Sequence, residues 1–511
     1  MTELTPTDIE VMKHAFISIA ELMGASLQRS AYSSNIKERK DESCAVFSKD
    51  GEMISQAEHI PVHLGAMPKS LDSALEHCEM EDGDQIILND PYAGGTHLPD
   101  ITIIKPVFDG GLIGYVVNRA HHADVGGDIP GSMPGKSKIL DEEGVVISPT
   151  HIVKKGKICQ DVLNIFNSTR NPKERRGDLQ AQIGANERGA QELIKNVKRF
   201  GPDKFNCFIK EIIDYSEART RKILRELPMG ELCYMDHMEW EPKVKLNVKI
   251  SIEKDSITFD FAGTDKQVEG NINAPSSVTH SAIYYVLRCL LPEDVPVNQG
   301  CYRPLSISIP KGCVLNPKPP AAVSSGNVET SQRVVELIFR ALQDIFPDKI
   351  CAESQGTMNN LVIGNKNFTY YETIGGGAGG CSCGPGESGV HVHMTNTKNT
   401  PIEALEKEYP LRIHAYRLRK GSGGAGKNKG GDGLIRDIEA LEDAHLSIQS
   451  ERRIFPPKGI YGGEDGEIGN NILIKKDKNT DIGGKVSLPL SKGDRVRIET
   501  PGGGGWGKKT H

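Results

Sequence analysis

With 511 residues the chain exceeds what one hydrophobic core usually supports, so several packed regions, large enough to bury sizeable sites, are expected. A net charge of −6 with both signs interspersed leaves no basic stripe for nucleic acid or an anionic membrane. The 37% hydrophobic and 25% charged fractions are those of a globular protein, and 55 Gly with 29 Pro argue for turns and glycine loops over long helical arrays.

In chain order, Thr7 followed by Glu10 fits a capping box, and Ile9, Met12, Phe16, Ile19, Ala20 and Met23 then recur at helical spacing, which predicts an amphipathic helix over 8–28. The acidic, polar opening MTELTPTDIE lacks the basic then apolar pattern of a secretory leader, and no apolar run reaches ~18 residues, so a cytoplasmic location is expected. From about 43 to 150 short strands take over: 45–47, 85–88, 101–108 and 112–119, with turns at Lys49-Asp50-Gly51 and Asp109-Gly110-Gly111. Residues 160–227 return to helix. VKLNVKISIEKDSITFDFAGT then alternates with a period of two, helices follow near 277–291 and 329–345, and from 350 the chain is strands and glycine loops to the tail TPGGGGWGKKTH. These elements predict an α+β fold of mixed, mostly antiparallel sheets with packed helices, in four regions: 1–155, 156–235, 236–349 and 350–511.

The densest chemistry lies in NDPYAGGTHLPD, residues 89–100, and NRAHHADVGGD, residues 118–128. If Asp109-Gly110 is a two-residue turn between Phe108 and Gly111, antiparallel pairing sets His97 opposite His122 and Asp100 opposite Arg119. Opposed Cβ atoms stand about 5 Å apart, near enough for two imidazoles to reach one ion at about 2.1 Å. A three-residue turn, or the interruption at Pro99, would substitute His121; the two-residue turn favours His122. Histidine and carboxylate ligands with an open position suit Zn²⁺, with Mn²⁺ or Fe²⁺ as alternatives, and such an ion lowers the pKa of water toward neutrality. A lone His or Asp more often caps a turn; for the whole cluster those odds reverse.

These two segments, with GNINAP at 270–275, SSGNVETSQR at 324–333, HVHMTNTKNTPIEALE at 391–406 and the closing TPGGGGWG, resemble the hydantoinase B and 5-oxoprolinase family over the whole chain. The resemblance implies a metal held by Asp41, His97, Asp100 and His122, of which His122, Asp100 and His97 serve catalysis. It also implies a hetero-oligomer with a hydantoinase A type subunit that binds ATP and Mg²⁺ and phosphorylates a cyclic amide, which the present chain then hydrolyses. The alternative it implies is a subunit of an ATP-dependent ketone carboxylase of the acetone or acetophenone carboxylase type. His121, His391, His393 and Asn396 are candidates for substrate contact, the pair His391 and His393 sharing one face if their segment is a strand.

Other motifs carry less. Gly375, Gly377 and Gly380 spell G-x-G-x-x-G, but CSCGPGESG follows, with Pro385 where a helix should open, so a structural glycine loop or a substrate-lining nest is expected. Gly421 to Asn428 copies a P-loop until Asn428 stands where Ser or Thr would hold Mg²⁺, and no nucleotide is assigned there. Glu329 is expected to open a helix with Asn327 as its N-cap, and His63 to fill a core position. The eleven cysteines are scattered without paired CxxC clusters; Cys381 and Cys383 stand close, but two thiols do not make a zinc site.

Overall fold

The computed structural model describes residues 5–476 and 478–509. The first helix, Pro6–Ser30, starts two residues earlier than its sequence pattern suggests. Its capping box is Thr5 with Asp8, because Pro6 takes the first helical position, where a missing N–H costs nothing.

A seven-stranded antiparallel sheet follows: β1 Glu42–Ser48, β2 Met53–Glu58, β3 Gln85–Leu88, β4 Asp100–Phe108, β5 Leu112–His121, β6 Thr150–Lys154 and β7 Lys157–Ile158, in the order β2-β1-β5-β4-β3-β6-β7. Alternating side chains feed two cores. Val46 and Val116 face Met12, Phe16 and Met23 of the first helix, with Leu193 of helix Pro172–Phe200 and Phe208 of helix Pro202–Arg225. Ala45, Phe47 and Val117 face Met67 and Leu71 of helix Ala66–His77 on the other side.

A second sheet, β8 Gly230–Met238, β9 Val244–Ile252, β10 Ile257–Asp260 and β11 Leu305–Ser308, runs β11-β10-β9-β8, with only β10 and β11 parallel. Every second residue of β9 is buried, as its alternation requires. Helices Ser276–Leu290 and Ser331–Leu342 pack on this sheet through Val278, Ala282, Val334 and Ile338. One π-helical turn, Gly326–Thr330, precedes the second of these helices, so Asn327 and Glu329 sit inside a buried turn rather than at a simple cap. The C-terminal region joins a four-stranded and a five-stranded sheet over one core that includes Leu361, Leu446, Leu434 and Val496. Mixed α and β composition and mostly antiparallel pairing therefore agree with the sequence reading.

The glycine segments interlock. The Gly503 amide donates to Gly431 O, that of Gly431 to Ala378 O, that of Gly380 to Gly504 O and that of Gly504 to Glu353 O. A Cβ at Gly503 would stand 2.0 Å from Ala378 O, and one at Gly430 2.0 Å from Gly503 O. Both motif-like runs are thus walls of backbone packed on backbone, which only glycine permits. Among the described residues no helix is long and apolar enough to cross a membrane.

Candidate metal centre

The centre sits where β1, β4 and β5 end together. Asp41 precedes β1 and its carbonyl accepts the His121 amide at 3.0 Å, while β4 and β5 set Asp100 directly opposite His121. This register differs from the two-residue-turn expectation. The loop spans Asp109–Gly111, with Phe108 opposite Leu112, and a further irregularity at Ile113 places Val107 opposite Gly114. The two departures together move each β4 residue's partner two positions along β5, so Thr102 rather than Asp100 opposes Arg119.

His97 is not in a strand. Residues three apart in a strand would face opposite ways, but the Asp100 amide donates to His97 O at 3.1 Å, closing a turn around Pro99 that folds the ring back over the carboxylate. His97 Nε2 and His121 Nδ1 lie 3.1 and 3.2 Å from Asp100 Oδ1, and one ligand atom from each of these three residues lies within 4.8 Å of the others. His97, Asp100 and His121 are no more than 2% exposed. Asp41 lines the same cavity, of about 20 Å³, which is room for one ion or one water. Its carboxylate is 3.7 Å from Arg39 Nη2.

His122 lies on the other face of the strand end. Its Nε2 pairs with Gln182 Oε1 at 2.9 Å on helix Pro172–Phe200, and burial lowers its pKa from 6.5 to about 4. The structure thus brings together His97, Asp100, His121 and Asp41, and leaves His122 outside.

His63, which the sequence assigned to the core, completes the group. Its Nε2 is 3.4 Å from Asp100 Oδ2 and its Nδ1 2.9 Å from Ser43 Oγ. The only signal was a second histidine in the apolar run HIPVHLG. Thr96 Oγ1 also donates to Asp100 Oδ2 at 2.6 Å. Tyr371, unsuspected from sequence, stacks on His121 at 4.5 Å and 15° with the Arg39 guanidinium on it at 4.6 Å.

Electrostatics fits a cation. Burial opposes ionisation of Asp100, yet His97 and hydrogen bonds from His121 and His63 hold its carboxyl well below the usual carboxylate range. Burial also lowers the His121 pKa, which favours the neutral, ligating ring. His121 Nε2 is buried without a hydrogen-bond partner, a deficit that a bound ion would remove.

Beside this cavity opens a pocket of about 750 Å³, and Thr397 lines both. His391 and Asn396 line the larger pocket. The His391 Nε2 is buried and unpartnered, and burial followed by Arg39 lowers this ring's pKa to about 4. Residues 391–393 are not a strand: His393 adopts φ 55° and turns to Glu336, 2.9 Å from Nε2, so the two rings do not share a face.

Fold and centre together define an α+β protein with a buried histidine and carboxylate group beside a polar pocket. The chain belongs to the hydantoinase B/oxoprolinase family, whose sequence model matches residues 5–509. It is 43% identical to 5-oxoprolinase 1 of Arabidopsis thaliana over 98% of its own length, spanning 41% of that relative. It is also 31% identical to a putative D-/L-hydantoinase subunit of a Pseudomonas species, over 99% of its length and 90% of the relative. Its fold superposes with a TM-score of 0.93 on an ATP-dependent caprolactamase from Pseudomonas jessenii, at 27% identity, covering 99% of this chain and 92% of that one. An acetone carboxylase chain matches with a TM-score of 0.90 at 17% identity, covering 98% and 76%, a likeness of fold.

Proposed function

We propose that this chain is the hydrolytic subunit of an ATP-dependent cyclic-amide hydrolase, acting on a hydantoin, lactam or 5-oxoproline ring whose amide oxygen a hydantoinase A type partner has phosphorylated. The observation that carries the reading is the buried set His97, Asp100 and His121 with the His121 Nε2 left unpartnered. With Asp41 from the same cavity these residues would hold one divalent ion, Zn²⁺ by its donor set, with Mn²⁺ or Fe²⁺ also compatible. His121 takes the place in this set that the two-residue-turn register assigned to His122.

When bound, such an ion supplies a Lewis acid that activates water at neutral pH. The chain's own residues do the positioning. Three imidazoles and the Thr96 hydroxyl keep Asp100 ionised and fix its orientation. Ser43 fixes the His63 ring, and Tyr371, Val328 and Met358 line the cavity as its less polar wall. The neighbouring pocket admits the ring, with the uncharged His391 and Asn396 available to bond its polar edge and Thr397 as the shared wall. O-phosphorylation makes the amide carbon more electrophilic and provides a leaving oxygen.

The names of the relatives, a 5-oxoprolinase, a hydantoinase component and a caprolactamase, support amide chemistry, and the carboxylase alternative is not favoured. The test combines the chain with a hydantoinase A type subunit, ATP, a panel of cyclic amides and labelled bicarbonate. ATP-dependent ring opening without label in the product is expected, with loss of turnover in His121→Ala while the partner still consumes ATP. Label retained in the product, or full turnover in that variant, would overturn the reading.

A further inference from the structure

At the outer rim of the glycine wall lies a thiol group that the metal centre does not use. Cys381 Sγ and Cys383 Sγ are 3.0 Å apart, about 1 Å beyond the length of a disulfide bond. Their turn is braced on every side. The Cys381 amide donates to Gly384 O at 3.0 Å and the Gly384 amide returns to Cys381 O at 3.3 Å. Asn428 Nδ2 donates to Cys381 O at 2.6 Å, and Ser382 Oγ to Asp348 O at 2.9 Å. The Ala352 amide, bonded to Gly380 O at 2.8 Å, anchors the segment that carries Cys351 beside the same turn. The backbone that carries both sulfurs is therefore held in one turn, with the two thiols on the same side of it.

Cys383 is exposed and Cys381 partly so, which leaves both open to a small oxidant. We propose that Cys381 and Cys383 are a reversible thiol and disulfide modification site, oxidised by hydrogen peroxide. The Cys381 thiolate attacks one peroxide oxygen, breaking the O–O bond to give a sulfenic acid and, after proton uptake, water. The Cys383 thiol then attacks Cys381 Sγ, forming the S–S bond and expelling a second water. Two thiols are oxidised by two electrons and one peroxide is reduced to two waters. Cys381 is the attacking sulfur: although burial works against its ionisation, the Cys383 thiol and the backbone of Cys383 and Gly384 hold its pKa below the ordinary thiol value. Cys383 is the resolving thiol, since its own pKa is raised by Cys381.

The test uses the full reduced chain. After brief exposure to one equivalent of hydrogen peroxide, free thiols are blocked with light N-ethylmaleimide, disulfides are reduced, and the released thiols are blocked with the heavy reagent before peptide mass spectrometry. Cys381 and Cys383 should acquire heavy label together, at least about tenfold faster than the exposed Cys207 and Cys233 of the same molecule. In Cys383→Ser, Cys381 should stop at the sulfenic acid and be trapped by dimedone. Labelling no faster than at Cys207, oxidation of Cys381 with Cys383 still free, conversion to sulfinic acid, or a Cys351 to Cys381 disulfide forming in Cys383→Ser at the wild-type rate would each overturn the proposal.

Discussion

Glu329 lies within the buried π-helical turn beside the candidate centre, and replacing it by glutamine gives a prediction with a definite sign. One carboxylate oxygen accepts from the Met358 amide at 3.0 Å and from Asn360 Nδ2 at 2.9 Å, while the other is buried without a partner. Burial is the largest influence, and it raises the pKa from 4.5 to about 7. A raised folded-state pKa means that the folded chain holds a proton which the unfolded chain releases between those values. The stability associated with the protonated form is therefore complete below 4.5 and lost as pH rises through about 7. At about 1.4 kcal/mol per pH unit, the loss is about 3 kcal/mol once both states are ionised. Glu329→Gln keeps an acceptor for both donors and removes the ionisation. Urea unfolding followed from about pH 4 to about pH 8 should show the wild type losing stability relative to the variant by about 3 kcal/mol across that window. Parallel pH profiles for the two proteins would refute the reasoning.

Gly503→Ala should destabilise by at least about 3 kcal/mol, seen as a lower thermal midpoint, because the new methyl would stand 2.0 Å from a carbonyl oxygen inside the glycine wall. His280 has its pKa lowered from 6.5 to about 4, mainly by burial, with Lys69 adding to the effect. Its depressed folded-state value gives stability that is present above 6.5 and lost as pH falls toward 4, so His280→Gln should reduce the acid-side loss by about 3 kcal/mol in the same urea series.

Period carried the fold more faithfully than register did. The alternation in β9 and the helical recurrence of Met12, Phe16 and Met23 name the buried faces correctly, since burial follows from side-chain direction alone. Register depends on how the chain spends single residues in turns, and an Asp-Gly-Gly run does not reveal that its loop spans Asp109–Gly111 or that Ile113 adds an irregularity. That is why the sequence favoured His122 where the structure presents His121. The helix start moved because Thr5 caps better ahead of Pro6 than Thr7 does behind it. His63 and Tyr371 were illegible for another reason: each reaches Asp100 or His121 from a segment distant in sequence, and no local pattern encodes that approach. His391 and His393 read as one strand face, but a positive φ at His393 separates them.

The most direct test of the centre is elemental analysis of the purified chain, with divalent-ion titration of two variants of adjacent residues. His121→Ala removes a proposed ligand and should weaken binding at least about tenfold, whereas His122→Gln, altering a ring bonded to helix Pro172–Phe200, should keep one ion per chain at wild-type affinity. Circular dichroism confirms that both are folded. Retention of the ion by His121→Ala together with its loss from a folded His122→Gln would contradict the account.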